Sequence, residues 1–192
     1  MVQLAQPIAT ARLVLRPFEP GDLDDFASLL GDESVNRYLY SEPSSREEAA
    51  SALDKRLNAA NYPEESTILR VAVAPAETNR LIGHFMLHWS EDVHRQGEIG
   101  GSLHPDVHGQ GYASEVYGAL LELAFTQYDL HRVCGRCDGR NAASVRSLQK
   151  AGLREEAHFV ENEFVKGEWT DEVVLAILQS EWRATQRLNE RP

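Results

Sequence analysis

The chain has 192 residues and carries 19 Lys and Arg against 30 Asp and Glu, a net charge of −11 with histidine neutral. That length suits one domain with its own core, and 42% hydrophobic with 26% charged residues is an ordinary globular composition, which sets disorder aside. The acidity argues against a nucleic-acid binder, whose footprint is a basic face, and favours the approach of cationic partners such as amines or basic peptides.

In chain order, residues 10–18 read as a strand with Leu13 and Leu15 on one face and Arg12, Val14 and Arg16 on the other, closed by Pro17 and Pro20-Gly21. Asp22 then caps a short helix whose stripe is Leu23, Phe26 and Leu29/Leu30, with Gly31 at its C-terminus. Ser45-Arg46-Glu47-Glu48 is a capping box for a second helix running to about Ala60. Three strands follow, at about 67–74, 81–89 and 98–104, with turns at 75–79 and 91–97 that suggest an antiparallel meander. A long helix at about 110–127 repeats Ala113, Val116, Tyr117, Leu120, Leu121 and Ala124 at helical spacing. After it come a strand containing Cys134 and Cys137, a helix at 142–151 ended by Gly152, and strands at 154–165 and 168–182 around a Lys166-Gly167 turn. A polar tail from Arg183 is expected to fray. The expected fold is one α+β domain over 1–192, core about 10–182: a central mixed, largely antiparallel sheet flanked by about four helices.

Two metal-like spacings are set aside on geometry. Cys134 and Cys137 on a strand point to opposite faces, so they share neither a metal nor a disulfide. His84 and His88 on a strand stand ~13 Å apart, too far to hold one ion, so no metal is expected. No apolar run approaches the ~18 residues of a membrane span, and the N-terminus lacks a basic-then-apolar leader. The expectation is a cytoplasmic protein that contacts neither membrane nor nucleic acid.

The most informative segment is Gly100-Gly101-Ser102-Leu103-His104-Pro105-Asp106-Val107-His108-Gly109-Gln110-Gly111-Tyr112-Ala113-Ser114-Glu115. A strand enters, a glycine-rich turn follows, and a helix leaves. Gly109 and Gly111 let backbone N–H groups converge, and the helix start adds unpaired donors and partial positive charge, which together suit a phosphate or pyrophosphate. A Walker loop is excluded, because Tyr112-Ala113 stand where Lys-Ser/Thr would follow Gly111. A dinucleotide fingerprint is excluded by the mid-chain position and by Ser114 in place of its third glycine. The pair Gly100-Gly101 suggests a bulge or a close backbone approach.

His108-Gly109-Gln110-Gly111-Tyr112-Ala113 resembles the acyl-CoA loop of the GNAT superfamily of N-acetyltransferases, with His108 where Gln or Arg is usual. Asn141-Ala142-Ala143-Ser144 with Lys150-Ala151-Gly152-Leu153 resembles that superfamily's second signature. Thr10-Ala11-Arg12-Leu13-Val14-Leu15-Arg16-Pro17 and Lys166-Gly167-Glu168-Trp169-Thr170-Asp171-Glu172 resemble its RimJ/RimL-like branch, the acetyltransferases of ribosomal-protein N-termini. The resemblance implies acetyl-CoA as co-substrate, held by Leu103, His108, Gly109, Gln110, Gly111, Tyr112, Ala113 and Asn141. It implies transfer to a primary amine, with a peptide N-terminal α-amine as first choice and an antibiotic- or polyamine-like amine as second. A non-catalytic acyl-CoA-binding module is a further alternative, since Leu148 stands where many members carry a Tyr acid. A homodimer is left open.

The same resemblance implies Glu163 as a base acting through water and Ser144 as the partner that holds the water or serves the leaving thiolate. The plain alternatives are a solvated strand glutamate, an ordinary helix serine, and for Asn141 a helix cap. Glu98 is a second candidate base, its side depending on strand register. An α-amine, with a pKa of about 8 against about 10.4 for lysine, needs little help to deprotonate. Trp89, Tyr38, Tyr40 and Trp169 are candidate linings of the acceptor pocket, and Arg140 and Arg146 candidate aids to the cofactor's charge.

Overall fold

The computed structural model describes residue 4 and residues 6–58, 67–90 and 94–189. Its elements are β1 (Ile8–Ala9), β2 (Leu13–Arg16), α1 (Leu23–Gly31), α2 (Glu33–Asn36), α3 (Arg46–Leu57), β3 (Ile68–Pro75), β4 (Gly83–Trp89), β5 (Gln96–Leu103), α4 (Tyr112–Thr126), β6 (Arg132–Asp138), α5 (Ala142–Lys150), β7 (Arg154–Val165), β8 (Glu168–Leu178) and α6 (Gln179–Asn189). One sheet runs β1-β2-β3-β4-β5-β6-β8-β7, antiparallel throughout except where β5 meets β6. The mixed sheet, the β3–β5 meander and the Lys166-Gly167 turn are as expected; both turn residues take positive φ, 52° and 83°, as a tight hairpin requires.

The alternation that sets strand faces is clean. Ile99 and Leu103 of β5 join Phe85, Leu87, Val71 and Val133 in the main core, which α4 closes with Val116, Tyr117, Leu120 and Leu121. On the opposite face α1 and α3 close a smaller core of Phe18, Phe26, Leu29 and Leu53 over Ala72. Side chains of Glu98, Cys134 and Arg136 belong to that second face, beyond the helices' cover. Arg16, buried at 4% exposure, is held there by a two-pronged contact with Asp22 at 2.7 and 2.8 Å. Asp22 stands at the N-cap of α1 as expected, but its carboxylate takes Arg16 and the Glu19 N–H rather than a helix amide.

Three expectations need correction. The last strand stops at Leu178, four residues early, and the fraying tail is a helix, α6. Gln179 donates its N–H to His131 O as the last strand-like bond, then Glu181 takes the Leu178 N–H and Arg154, which turns the chain. Trp182 anchors the helix against Phe125 at 5.5 Å. Secondly, of the two readings of Gly100-Gly101 the bulge fails and the close approach holds: β4 and β5 stay in register from Gly83↔Leu103 to Trp89↔Gly97. The glycine is needed for close approach, since a Cβ on Gly101 would lie 2.4 Å from His84 O and 2.5 Å from the Phe85 ring. Thirdly, β1 and α2 were not foreseen. The capping box of Ser45 and Glu48 is formed, but α3 ends at Leu57, with the expected end near Ala60 outside the described residues.

Candidate active site

The parallel ladder between β5 and β6 is three rungs long and ends at Glu98↔Cys134. On either side the neighbouring ladders continue, β4–β5 to Leu103 and β6–β8 to Asp138, so β5 and β6 diverge beyond that rung. His104 donates its N–H to Ile82 O on the β4 side. By strand alternation the backbone groups of Gly101 and Leu103 therefore turn toward the gap that β6 has left. A gap edged by unpaired strand amides is a receptor for an extended, amide-bearing chain.

At the mouth of this gap the glycine turn has the conformation its sequence demands. Gly109 and Gly111 have φ of 76° and 80°, and Gly111 is the N-cap of α4. The first backbone N–H to bond back into α4 is that of Glu115, to Gly111 O. Those of Tyr112, Ala113 and Ser114 have no helical acceptor and point outward with the helix's positive end. His108 does not face the turn: its Nε2 contacts Leu103 O at 2.9 Å, which requires the Nε2–H tautomer and ties the turn to the end of β5.

A clamp that sequence reading missed holds this turn. Arg12 donates to Glu115 Oε2 at 2.8 Å and to Gln110 O at 2.9 Å, and its guanidinium lies 4.5 Å above the Tyr112 ring. Glu115 Oε1 accepts from Thr10 Oγ1 and from the Arg12 N–H. Burial opposes the charge on Glu115, but these hydrogen bonds win and hold its carboxyl below the ordinary range. The pairing of an early Arg with a helix Glu 103 positions later leaves no periodic signal.

Across the gap Asn141 is the N-cap of α5, its Oδ1 accepting from Ser144 N at 3.0 Å. Ser144 lies near the buried Tyr117 phenol and the Cys137 thiol, on the α4 side of the sheet. Burial raises both Tyr117 and Cys137 above their usual values. Leu148 packs at 1% exposure, within 2.8 Å of where a Cβ on Gly135 would be. Arg140 is committed to Asp138 and Glu168, each at 2.7 Å.

The other face of the divergence is an open cleft of about 600 Å³ lined by His88, Trp89, Glu98, Cys134, Arg136 and Phe159 among others. Trp89, next to His88 on β4, turns the other way: its ring is buried in the main core and stacked on Tyr128 at 4.4 Å. Glu98 is half-buried and has no hydrogen bond or ion pair among the described residues. It lies close enough to Cys134 that, after burial, its charge is the next cause raising that thiol. Arg136 is spent on buried Glu172 through two bonds of 2.7 and 2.9 Å. A bulge in β7 between Phe159 and Glu163 puts Asn162 3.1 Å from Glu172 and 3.3 Å from Glu163. Tyr40 completes this edge; burial, then the charges of Glu163 and Glu172, raise its phenol. Lys166 Nζ on Asn36 O, at 2.6 Å, draws the hairpin tip to the segment after α2 that carries Tyr40.

Glu163 and Ser144 are therefore on opposite faces of the sheet, one at the cleft's edge and one beside the gap. Trp169, paired with Phe164 one rung from Glu163, turns away from the cleft, and Tyr38 sits under Arg37 at 5.3 Å. Cys134 and Cys137 occupy opposite faces, as expected, and no group of three metal-ligating side chains occurs among the described residues. Among them, too, no helix is long and apolar enough to cross a membrane.

Residues 12–154 match the family model described as an acetyltransferase (GNAT) domain. The chain belongs to the GNAT family. It is 33% identical over 177 residues to the Bacillus subtilis uncharacterized N-acetyltransferase YnaD, covering 91% of this chain and 98% of that protein. The crystal structure of a Bacillus anthracis GNAT-family acetyltransferase superposes with a TM-score of 0.80 at 28% identity, over 91% of this chain and 99% of the other. That of Vibrio cholerae spermidine N-acetyltransferase, in complex with CoA and spermine, gives 0.75 at 28% identity, over 89% and 98%. This GNAT chain is an acetyl-CoA-dependent N-acetyltransferase. Its residues fit that co-substrate: the positive-φ glycines and free α4 donors suit a pyrophosphate, and the unpaired edge of β5 suits an amide-bearing arm.

Proposed function

We propose that the protein acetylates a small cationic primary amine that enters by the open cleft and meets Glu98. The observation that carries this is a half-buried carboxylate at the rung where β5 and β6 part, with no hydrogen bond or close ion pair among the described residues and with nearby Arg136 bonded to Glu172 instead. Such a group attracts an ammonium ion and, directly or through one water, assists the loss of its proton. Glu163, farther along the same face beside Tyr40 and Asn162, is a second anionic contact for the acceptor. The Vibrio cholerae relative bound to spermine supports a cationic acceptor. The RimJ/RimL-like motifs support a second reading, a peptide α-amine, which the open side of the cleft admits.

Acetyl-CoA supplies an activated acetyl thioester. Backbone N–H groups of residues 109–114 hold its pyrophosphate, with His108 fixing the turn through Leu103. Gly101 and Leu103 offer backbone groups to its arm and polarise the carbonyl, as oxyanion donors do. Asn141 and Ser144 stand on the sulfur's side, where the Ser144 hydroxyl donates a hydrogen bond to the leaving group. The test is thiol release from acetyl-CoA with diamines, polyamines, monoamines and peptides of free N-terminus. Turnover of small cationic amines above that of peptides is expected; the reverse order selects the second reading.

Gly111→Ala checks the cradle. An L side chain resists φ near 80° by about 1–2 kcal/mol, so the free loop relaxes and binding must restore it. CoA affinity, read by calorimetry, is expected to fall about tenfold. An unchanged affinity would place the pyrophosphate elsewhere.

A further inference from the structure

Neither the co-substrate cradle nor the acceptor carboxylates use His88, which lies in the same cleft. His88 is the cross-strand partner of Glu98 in the unbroken β4–β5 ladder. Directly paired residues on one face have Cβ atoms about 4.5–5.5 Å apart, so the imidazole and the carboxylate stand side by side. Both line the cleft, His88 exposed and Glu98 half-buried, and no bond between them is present. A water or a ligand nitrogen fits between two such groups.

We propose that His88 is a second catalytic group, which takes the acceptor's proton beside Glu98 and passes it to solvent. This rests on the reading that Glu98 receives the acceptor ammonium. A carboxylate titrates near 4 and holds a proton poorly at neutral pH, whereas an imidazole titrates near 6.5, where a general base works best. The division of labour follows. Glu98 attracts the ammonium and stabilises the imidazolium; His88, at the solvent side, carries the proton away. Two protons leave the acceptor nitrogen as the C–N bond forms and the C–S bond breaks. One goes to the imidazole and on to water; the other ends on the sulfur, which keeps the electron pair of the broken bond.

Other charged groups on this face are Arg70 of β3, diagonal to His88, then Arg132 and Arg136 of β6 and Glu156 of β7; the Cys134 thiol and Tyr40 phenol are titratable neighbours whose pKa values are raised. Arg132 is bonded to Glu156 and Arg136 to Glu172. Glu98 is thus the nearest charge to the imidazole by register.

The experiment has two arms. In the first, steady-state turnover is read for Glu98→Gln, His88→Gln and the double variant: two groups serving one proton transfer should give a double variant little slower than the slower single one. In the second, His88→Gln should lower kcat/KM at least tenfold at pH 7 and remove the limb in the imidazole range, and added imidazole should partly restore His88→Ala. Losses that multiply fully in the double variant, or a His88→Gln profile equal to the natural one, would overturn the proposal. Either result would leave the acceptor reading standing if Glu98→Gln is still impaired; failure of every amine in the panel would instead remove that reading.

Discussion

Glu98→Gln is expected to lower kcat/KM for the best amine by about 100- to 1,000-fold, while CoA affinity stays within about twofold. Glutamine keeps the shape and the strand position but offers neither charge nor basicity. The reasons for a large effect are local. Glu98 occupies the final β5–β6 rung, so its place is fixed by two ladders rather than by a mobile loop. Arg136 cannot substitute or compensate, since Glu172 occupies it. CoA affinity is expected to be spared because the groups proposed for the co-substrate lie past the rung, on the turn and on the α4 side of the sheet. Glu163→Gln is the matched control, expected to raise KM more than it lowers kcat, since Glu163 sits at the cleft's edge. Steady-state rates across pH with both variants decide between the two carboxylates. A Glu163→Gln enzyme that loses kcat while Glu98→Gln keeps it would transfer the base to Glu163.

Much of this site was legible from residue patterns, and what escaped did so for identifiable reasons. The glycine turn was readable because positive φ demands glycine at two places and a helix begins at once. The capping roles of Ser45 and Asn141 were readable because a cap is a local bond between neighbours. Opposed cysteines followed from strand geometry alone. The side of Glu98 was left undetermined, yet Ile99 and Leu103 carried the signal: if odd residues of β5 are core, the even ones face the cleft. The juxtaposition of His88 with Glu98 needed the meander's register, which no spacing rule supplies. The Arg12–Glu115 clamp, the Arg136–Glu172 pair and the β7 bulge join residues distant in sequence or out of period. Helix α6 was missed because one aromatic, Trp182, holds an otherwise polar segment.

His84, rejected with His88 as a metal ligand, gives the largest expected effect on stability. It lies on β4 between Ala72 and Ser102, with its ring edge-on to Phe26 at 5.5 Å. Burial, then the charges of Arg56 and Arg70, push its pKa down to about 3 from 6.5. The folded protein therefore keeps this imidazole neutral where the unfolded chain protonates it. For a group whose folded pKa is depressed, stability is fully present above the unfolded value and is lost as pH falls below it. The window opens near pH 6.5 and closes near pH 3. Only its upper part is needed here: at pH 5 the unfolded state has gained about 1.5 pH units of proton binding, worth about 2 kcal/mol. Urea unfolding should thus show the natural chain losing about 2 kcal/mol more between pH 7.5 and 5 than His84→Leu, which has nothing to protonate there. The difference between the two chains isolates His84, because carboxylates held down by partners, such as Glu115 and Asp138, are common to both. Parallel pH dependences would mean that the imidazole takes up its proton within the fold. The two cationic arginines beside it would then have to be screened, and the packing of α1 and α3 over this part of the sheet would be looser than the contact with Phe26 implies.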